Sequence, residues 1–198
     1  MRIRPGSRPE VNSSVRRDAG GKSAVFLIGF MGAGKTSVGQ ALSRRLGWRF
    51  EDLDERITAR AGRTIEQIFR EVGEPGFRSI ESAALQEVVS ELGPSPRIVA
   101  LGGGAYAQAE NARLLERAGV PIVFLDAPVE ELWRRCAQQD LERPLRRDEQ
   151  QFRRLYQERR PHYRKAPWRI ETSGKDIESI AVEVALKLGF IPRANHKE

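Results

Sequence analysis

Gly29-Phe30-Met31-Gly32-Ala33-Gly34-Lys35-Thr36 is the stretch that decides the fold. It fits G-x-x-x-x-G-K-[ST], the phosphate-binding P-loop. Glycines let the backbone curl tightly enough to aim several N–H groups at one phosphate chain. A lysine at position 35 supplies positive charge for the outer phosphates, and a threonine at 36 supplies a hydroxyl for a divalent cation. The flanks give the motif its context. Ser23-Ala24-Val25-Phe26-Leu27-Ile28 is an apolar run of the kind a buried parallel strand needs. Ser37 to Leu46 follows, with Val38, Ala41, Leu42 and Leu46 on one helical face.

Working outward, Trp48-Arg49-Phe50 reads as a second strand, ending in Glu51-Asp52-Leu53-Asp54, with a helix over 55–61. Thr64 and Gln67 have the spacing of a capping box for the next helix, and Gly73-Glu74-Pro75-Gly76 breaks it. A longer helix spans about 76–92. Arg97-Ile98-Val99-Ala100-Leu101 is a third strand, running into Gly102-Gly103-Gly104. Helices over 110–118 and from Pro128 through Cys136 flank a fourth strand, 120–125. Residues 149–160 read as helix, Trp168 to Glu171 as a fifth strand, and Asp176 caps a last helix to Leu188. Strands alternating with helices predict a parallel α/β sheet.

The chain has 198 residues, which fits one domain with a tail. Residues 1–22 are rich in Arg, Ser, Gly and Pro and read as a disordered basic tail; 191–198 read as a flexible end. The net charge of +7 suits anionic partners, whether nucleic acid or a small phosphorylated ligand. One cysteine, Cys136, excludes an internal disulfide, and its helical setting fits a half-buried structural thiol. Two histidines and one cysteine do not make an ordinary zinc site. No apolar run has the length of a membrane span, and nothing resembles a secretory signal. These features together predict a cytoplasmic protein.

In an open parallel sheet, ligands bind outside the carboxyl ends of the strands. Asp52 and Asp54 lie at one such end. On extended chain they point the same way, so one could hold Mg²⁺ through water while the other polarises an acceptor hydroxyl. Alternatively, Asp52 caps the following helix. The triplet 102–104 lets a ligand approach the backbone closely, or is a plain turn. Arginines crowd 135–164, as a phosphoryl transfer site requires. Arg143 stands before Pro144 in a polar segment, 139–148, that reads as a mobile loop able to close over phosphates. Arg78 follows Phe77 near a helix start, where a fixed guanidinium can clamp a carboxylate.

Taken together these residues resemble the shikimate kinase family of nucleoside-monophosphate-kinase-like P-loop kinases. The resemblance covers about residues 23–190. It is carried by the octapeptide, Asp52-Leu53-Asp54, Gly76-Phe77-Arg78 with Glu81, Gly102-Gly103-Gly104, Arg143-Pro144-Leu145, and Arg159-Arg160-Pro161-His162-Tyr163, in the family's order. It implies a five-stranded parallel sheet flanked by helices, with a lid at about 139–148 and a substrate-binding subdomain. It further implies ATP-dependent phosphorylation of the 3-hydroxyl of shikimate, in aromatic amino-acid biosynthesis. By the same resemblance, Lys35 and the backbone of Gly32, Ala33, Gly34, Thr36 and Ser37 bind ATP phosphates. Thr36 binds Mg²⁺ directly and Asp52 through water. Asp54 holds the shikimate hydroxyls and is the candidate base. Arg78 and Arg159 grip the shikimate carboxylate, Gly102, Gly103 and Gly104 line its pocket, Arg143 reaches the transferring phosphate, and Arg135 packs on adenine. Arg146 departs from the pattern, which usually has leucine there. The expected partners are ATP and shikimate, with neither nucleic acid nor membrane, and the expected state is a monomer.

A gluconate kinase of the same fold would share the P-loop but not the joint occurrence of the other motifs. A ligand-sensing regulator on a kinase-like domain would carry a helix-turn-helix module in front. Twenty-two residues are too few for one.

Overall fold

The computed structural model describes residues 24–138 and 148–190. The expectations for the basic tail, for the segment 139–147 with Arg143, and for 191–198 lie outside the described residues. Five strands are present: β1 (Ala24–Ile28), β2 (Arg49–Asp52), β3 (Arg97–Ala100), β4 (Ile122–Asp126) and β5 (Trp168–Glu171). Between and after them come helices α1 (Lys35–Leu46), α2 (Leu53–Ala61), α3 (Ile65–Ser90), α4 (Ala109–Ala118), α5 (Val129–Gln138), α6 (Glu149–Tyr163) and α7 (Ile177–Lys187). A single 3₁₀ turn, Ala105–Ala107, follows the glycine triplet.

The strands form one parallel sheet in the order β2-β3-β1-β4-β5. Apart from Arg97 at the start of β3 and Asp126 at the end of β4, the three inner strands are apolar and buried, as strands covered on both faces must be. The edge strands are more polar: β2 reads Arg-Phe-Glu-Asp and β5 Trp-Arg-Ile-Glu. Phe26, Leu27 and Ile28 of β1, Val99 of β3 and Phe124 of β4 are all buried. Each contributes about 1.5–3 kcal/mol by leaving water. The chain leaves β1 to one side for β2 and β3 and to the other for β4. The order therefore reverses at β1, and the crevice at its carboxyl end is the ligand site such sheets provide.

Local signals set the helix ends. Thr64 and Gln67 form the capping box that their spacing predicts. Gly47, Gly62 and Gly119 end α1, α2 and α4 in the left-handed conformation. One expectation is met and one needs correction. The expected break at 73–76 is present: Gly73 is non-helical (φ 68°, ψ −179°) and kinks α3 into two helical segments, with Pro75 just inside the second. Proline is tolerated there because an N–H at a helix start has no partner to lose. The correction concerns Asp54. β2 runs to Asp52 and α2 starts at Leu53, so Asp54 stands in the first helical turn and not on extended chain. The pair is not brought together by strand alternation.

Candidate active site

The P-loop follows β1. Gly29, Gly32 and Gly34 all have positive φ. A Cβ at Gly29 would meet the Leu125 carbonyl oxygen at 2.6 Å, and one at Gly32 the Leu132 carbonyl oxygen at 2.7 Å. The loop thus threads between β4 and α5 with no room for a side chain. The sulfur of Cys136, buried on α5, would be 2.9 Å from the same Cβ at Gly32. Gly34 is the N-cap of α1 and offers no side-chain cap, and the first turn has no acidic residue. The helix's leading N–H groups and its positive dipole end therefore suit an anion. Lys35 Nζ folds back onto the loop, 2.9 Å from the Gly29 carbonyl oxygen and 3.1 Å from that of Phe30. Phe30 itself anchors the loop to α6, edge-on to Phe152 at 4.9 Å and to Tyr156 at 5.5 Å.

Asp52 caps α2, one of the two uses its sequence position allows, and also meets Thr36. Its Oδ2 accepts from the Thr36 hydroxyl at 2.7 Å, while its Oδ1 accepts from the backbone N–H of Asp54 at 3.0 Å and caps α2. A threonine hydroxyl and a carboxylate oxygen at this distance are hard oxygen donors of the type Mg²⁺ takes. Among the described residues no group of three or more His, Cys, Asp or Glu is arranged for a metal.

The glycine triplet is a meeting point. A Cβ on Gly102 would lie 2.6 Å from Glu81 Oε1 and 2.7 Å from Asp54 Oδ1. One on Gly103 would lie 3.7 Å from the Met31 nitrogen of the P-loop and 3.8 Å from Arg159 Nη1. One on Gly104 would lie 2.3–2.6 Å from three guanidinium atoms of Arg78. Asp54, Arg78, Arg159 and the P-loop therefore converge on three consecutive glycines, of which Gly102 and Gly104 leave no room for a side chain.

Charge in this pocket is arranged in pairs. Arg78 binds Glu81 Oε2 at 2.8 Å and Glu74 Oε1 at 2.8 Å. Glu81 is fully buried, accepts also from Gln108 Nε2 at 3.0 Å, and leaves Oε1 without a hydrogen bond among the described residues. Burial pushes the Glu81 carboxyl above its ordinary value, against the pull of Arg78. Burial lowers Arg78 too, but Glu81 and Glu74 outweigh it and leave its pKa raised. Arg159 is buried at 7% exposure, and desolvation holds its pKa below the usual arginine value. Tyr163, one turn on along α6, donates to the Gly103 carbonyl oxygen, and burial pushes its hydroxyl up to about 12. It stays a donor through the physiological range. The neighbouring Arg160 turns the other way and pairs with buried Asp126 at 3.1 Å, joined there by Arg169 at 2.8 Å. That pair ties α6 to the end of β4 and so fixes Arg159.

Arg135 lies on the other side of the P-loop. It reaches from α5 to the Thr172 carbonyl oxygen at 2.9 Å and to Glu131 at 2.6 Å, bracing the loop after β5. Glu74, Gln108 and Tyr163 had no assigned part in the sequence. Tyr163 was findable, because position i+4 from Arg159 shares its helical face; Gln108 had no local signal.

A family model described as shikimate kinase matches residues 31–188. The chain is 42% identical over 163 residues to a shikimate kinase of Geobacter metallireducens, covering 81% of this chain and 88% of that one. Among solved structures it is similar to a shikimate kinase from Acinetobacter baumannii in complex with shikimate, at 36% identity and a TM-score of 0.78, covering 87% and 96% of the two chains. A gluconokinase from Sinorhizobium meliloti shares the fold at 15% identity and a TM-score of 0.58, covering 85% and 93%.

Proposed function

This chain belongs to the shikimate kinase family and is an enzyme that phosphorylates shikimate with ATP, and on that premise we propose how its residues divide the work of transfer to the 3-hydroxyl. The observation that carries the proposal is the position of Gly103. A Cβ there would lie within 4 Å of both the P-loop backbone and Arg159, so a phosphate cradle and a carboxylate clamp share one wall.

ATP phosphates lie in the cradle of Gly32, Ala33, Gly34, Lys35, Thr36 and Ser37. Lys35 exchanges its two loop carbonyls for phosphate oxygens, and its ammonium stabilises charge that builds up during transfer. Thr36 and, through water, Asp52 would hold Mg²⁺, which would supply charge neutralisation at the phosphates. Arg135 and the Thr172 loop it braces flank the base. Arg78 and Arg159 bind the shikimate carboxylate, and Asp54 holds the acceptor hydroxyl. The hydroxyl oxygen forms a bond to the γ-phosphorus, the bond from that phosphorus to the β–γ bridging oxygen breaks, and the hydroxyl proton passes to Asp54. Use of ATP supports a cytoplasmic setting. Among the described residues no helix is long and apolar enough to cross a membrane.

Calorimetry tests the clamp. Arg78→Ala and Arg159→Ala should each weaken shikimate far more than nucleotide, by about 2–5 kcal/mol if the carboxylate is buried against the pair. Equal weakening of both ligands would remove these arginines from the substrate site.

A further inference from the structure

The two arginines that would grip the substrate's carboxylate already hold one. Glu74 Oε1 is 2.8 Å from Arg78 Nη2 and 3.9 Å from Arg159 Nη2, so a single oxygen faces both guanidinium groups. The same oxygen lies 3.3 Å from Arg78 Nε, so it accepts from two nitrogens of that guanidinium.

We propose that Glu74 is a specificity-determining residue: its carboxylate occupies the Arg78–Arg159 clamp in the free enzyme and is exchanged for the carboxylate of the substrate. The inference rests on the clamp role given above to Arg78 and Arg159.

Two observations make Glu74 the partner that leaves. Arg78 has two carboxylates, and they differ in freedom. Glu81 is fully buried, held by Gln108 as well, and sits in the regular part of α3. Glu74 has half its side chain exposed and stands directly after Gly73, the one non-helical residue of the element, with Gly76 two residues on. It can swing into water, where an ionised carboxylate is well solvated.

Charge balance points the same way. Arg78 and Arg159 bring two positive charges; Glu74, Glu81 and Asp54 bring up to three negative ones within the same pocket. A substrate anion added on top would enter a pocket already short of positive charge. Exchange leaves the balance unchanged. A ligand without a carboxylate cannot replace what it displaces, and would leave two desolvated arginines short of a partner. Glu74 thereby makes the clamp selective by holding it closed to uncharged polyols.

The test is calorimetric titration of the full chain with shikimate, and separately with a non-hydrolysable ATP analogue, in wild type, Glu74→Gln, Arg78→Ala and Arg159→Ala. Glutamine keeps the size and the exposed position while removing the competing charge. Shikimate should bind Glu74→Gln about two- to fivefold more tightly, the range expected for loss of a partly exposed ion pair, with nucleotide affinity unmoved. Unchanged or weaker shikimate binding would overturn the proposal, because Glu74 would then be a spectator or a support for Arg78. Tightening of both ligands would also overturn it. The arginine variants separate the two levels. If they weaken shikimate while Glu74→Gln fails to tighten it, only the exchange is wrong; if they leave shikimate untouched, the clamp itself is wrong.

Discussion

Asp54 and Glu81 each aim one carboxylate oxygen at the space beside Gly102, and they differ in burial. Glu81 is buried and held by Arg78 and Gln108, whereas Asp54, half-buried at the start of α2, faces the crevice. Asp54 is therefore the carboxylate expected to meet the acceptor hydroxyl. Asp54→Asn keeps the shape and removes the proton acceptor, so the turnover number should fall about 10²–10⁴-fold while nucleotide affinity holds. A fall of less than tenfold, measured by steady-state kinetics, would return Asp54 to a helix-end acid. At this scale the sequence was legible by residue type and order, and less so by geometry. The capping use of Asp52 was visible; that its second oxygen meets the Thr36 hydroxyl was not, because that depends on where Thr36 ends up across a sequence separation of 16 residues. The Glu74 contact was hidden for the same reason: Arg78 was visible as a clamp, but its partner in the free enzyme depends on the kink at Gly73.

Among the elements, α3 and the loop after β3 are packed so closely that the loop's composition follows from the contact. Gly104 has an ordinary φ of −107°, so its need for glycine is not conformational. It is spatial: the Arg78 guanidinium fills the space where a methyl group would go. Gly104→Ala should push α3's arginine off the loop and cost about 1–3 kcal/mol in overpacking. We expect that cost as a roughly tenfold higher KM for shikimate, an unchanged KM for ATP, and a retained fold by circular dichroism. An equal rise in both Michaelis constants would indicate general loosening and refute the close contact. The elements themselves were legible because their signals are local: apolar runs for the inner strands, Thr64 and Gln67 for the start of α3, Asp176 for α7. Gly73 and Pro75 read as a break, and the kink at Gly73 bears that out, with Ile68 and Phe77 from the two segments buried in the same core. The strand β2 extends past Phe50 because its pairing with β3 continues to Asp52 opposite Ala100.

Over the whole molecule, the order β2-β3-β1-β4-β5 brings motifs far apart in sequence to one crevice, and that juxtaposition is what the one-dimensional pattern implied but did not display. The net charge of +7 finds its use in a site for two anionic ligands, though many of the arginines are spent on surface ion pairs such as Arg44 and Arg45 with Glu178. Those exposed pairs contribute little to stability. Gluconate kinase and shikimate kinase share this fold, so the fold alone does not choose between them; the match of the sequence to the shikimate kinase family does. The direct test is a coupled assay of ADP release with ATP and Mg²⁺, run with shikimate and in parallel with gluconate, followed by phosphorus NMR of the product. Our account predicts one ADP per shikimate consumed, phosphate on the 3-hydroxyl, and no turnover of gluconate above background. Turnover of gluconate without shikimate, or ADP release with no phosphorylated shikimate formed, would contradict it.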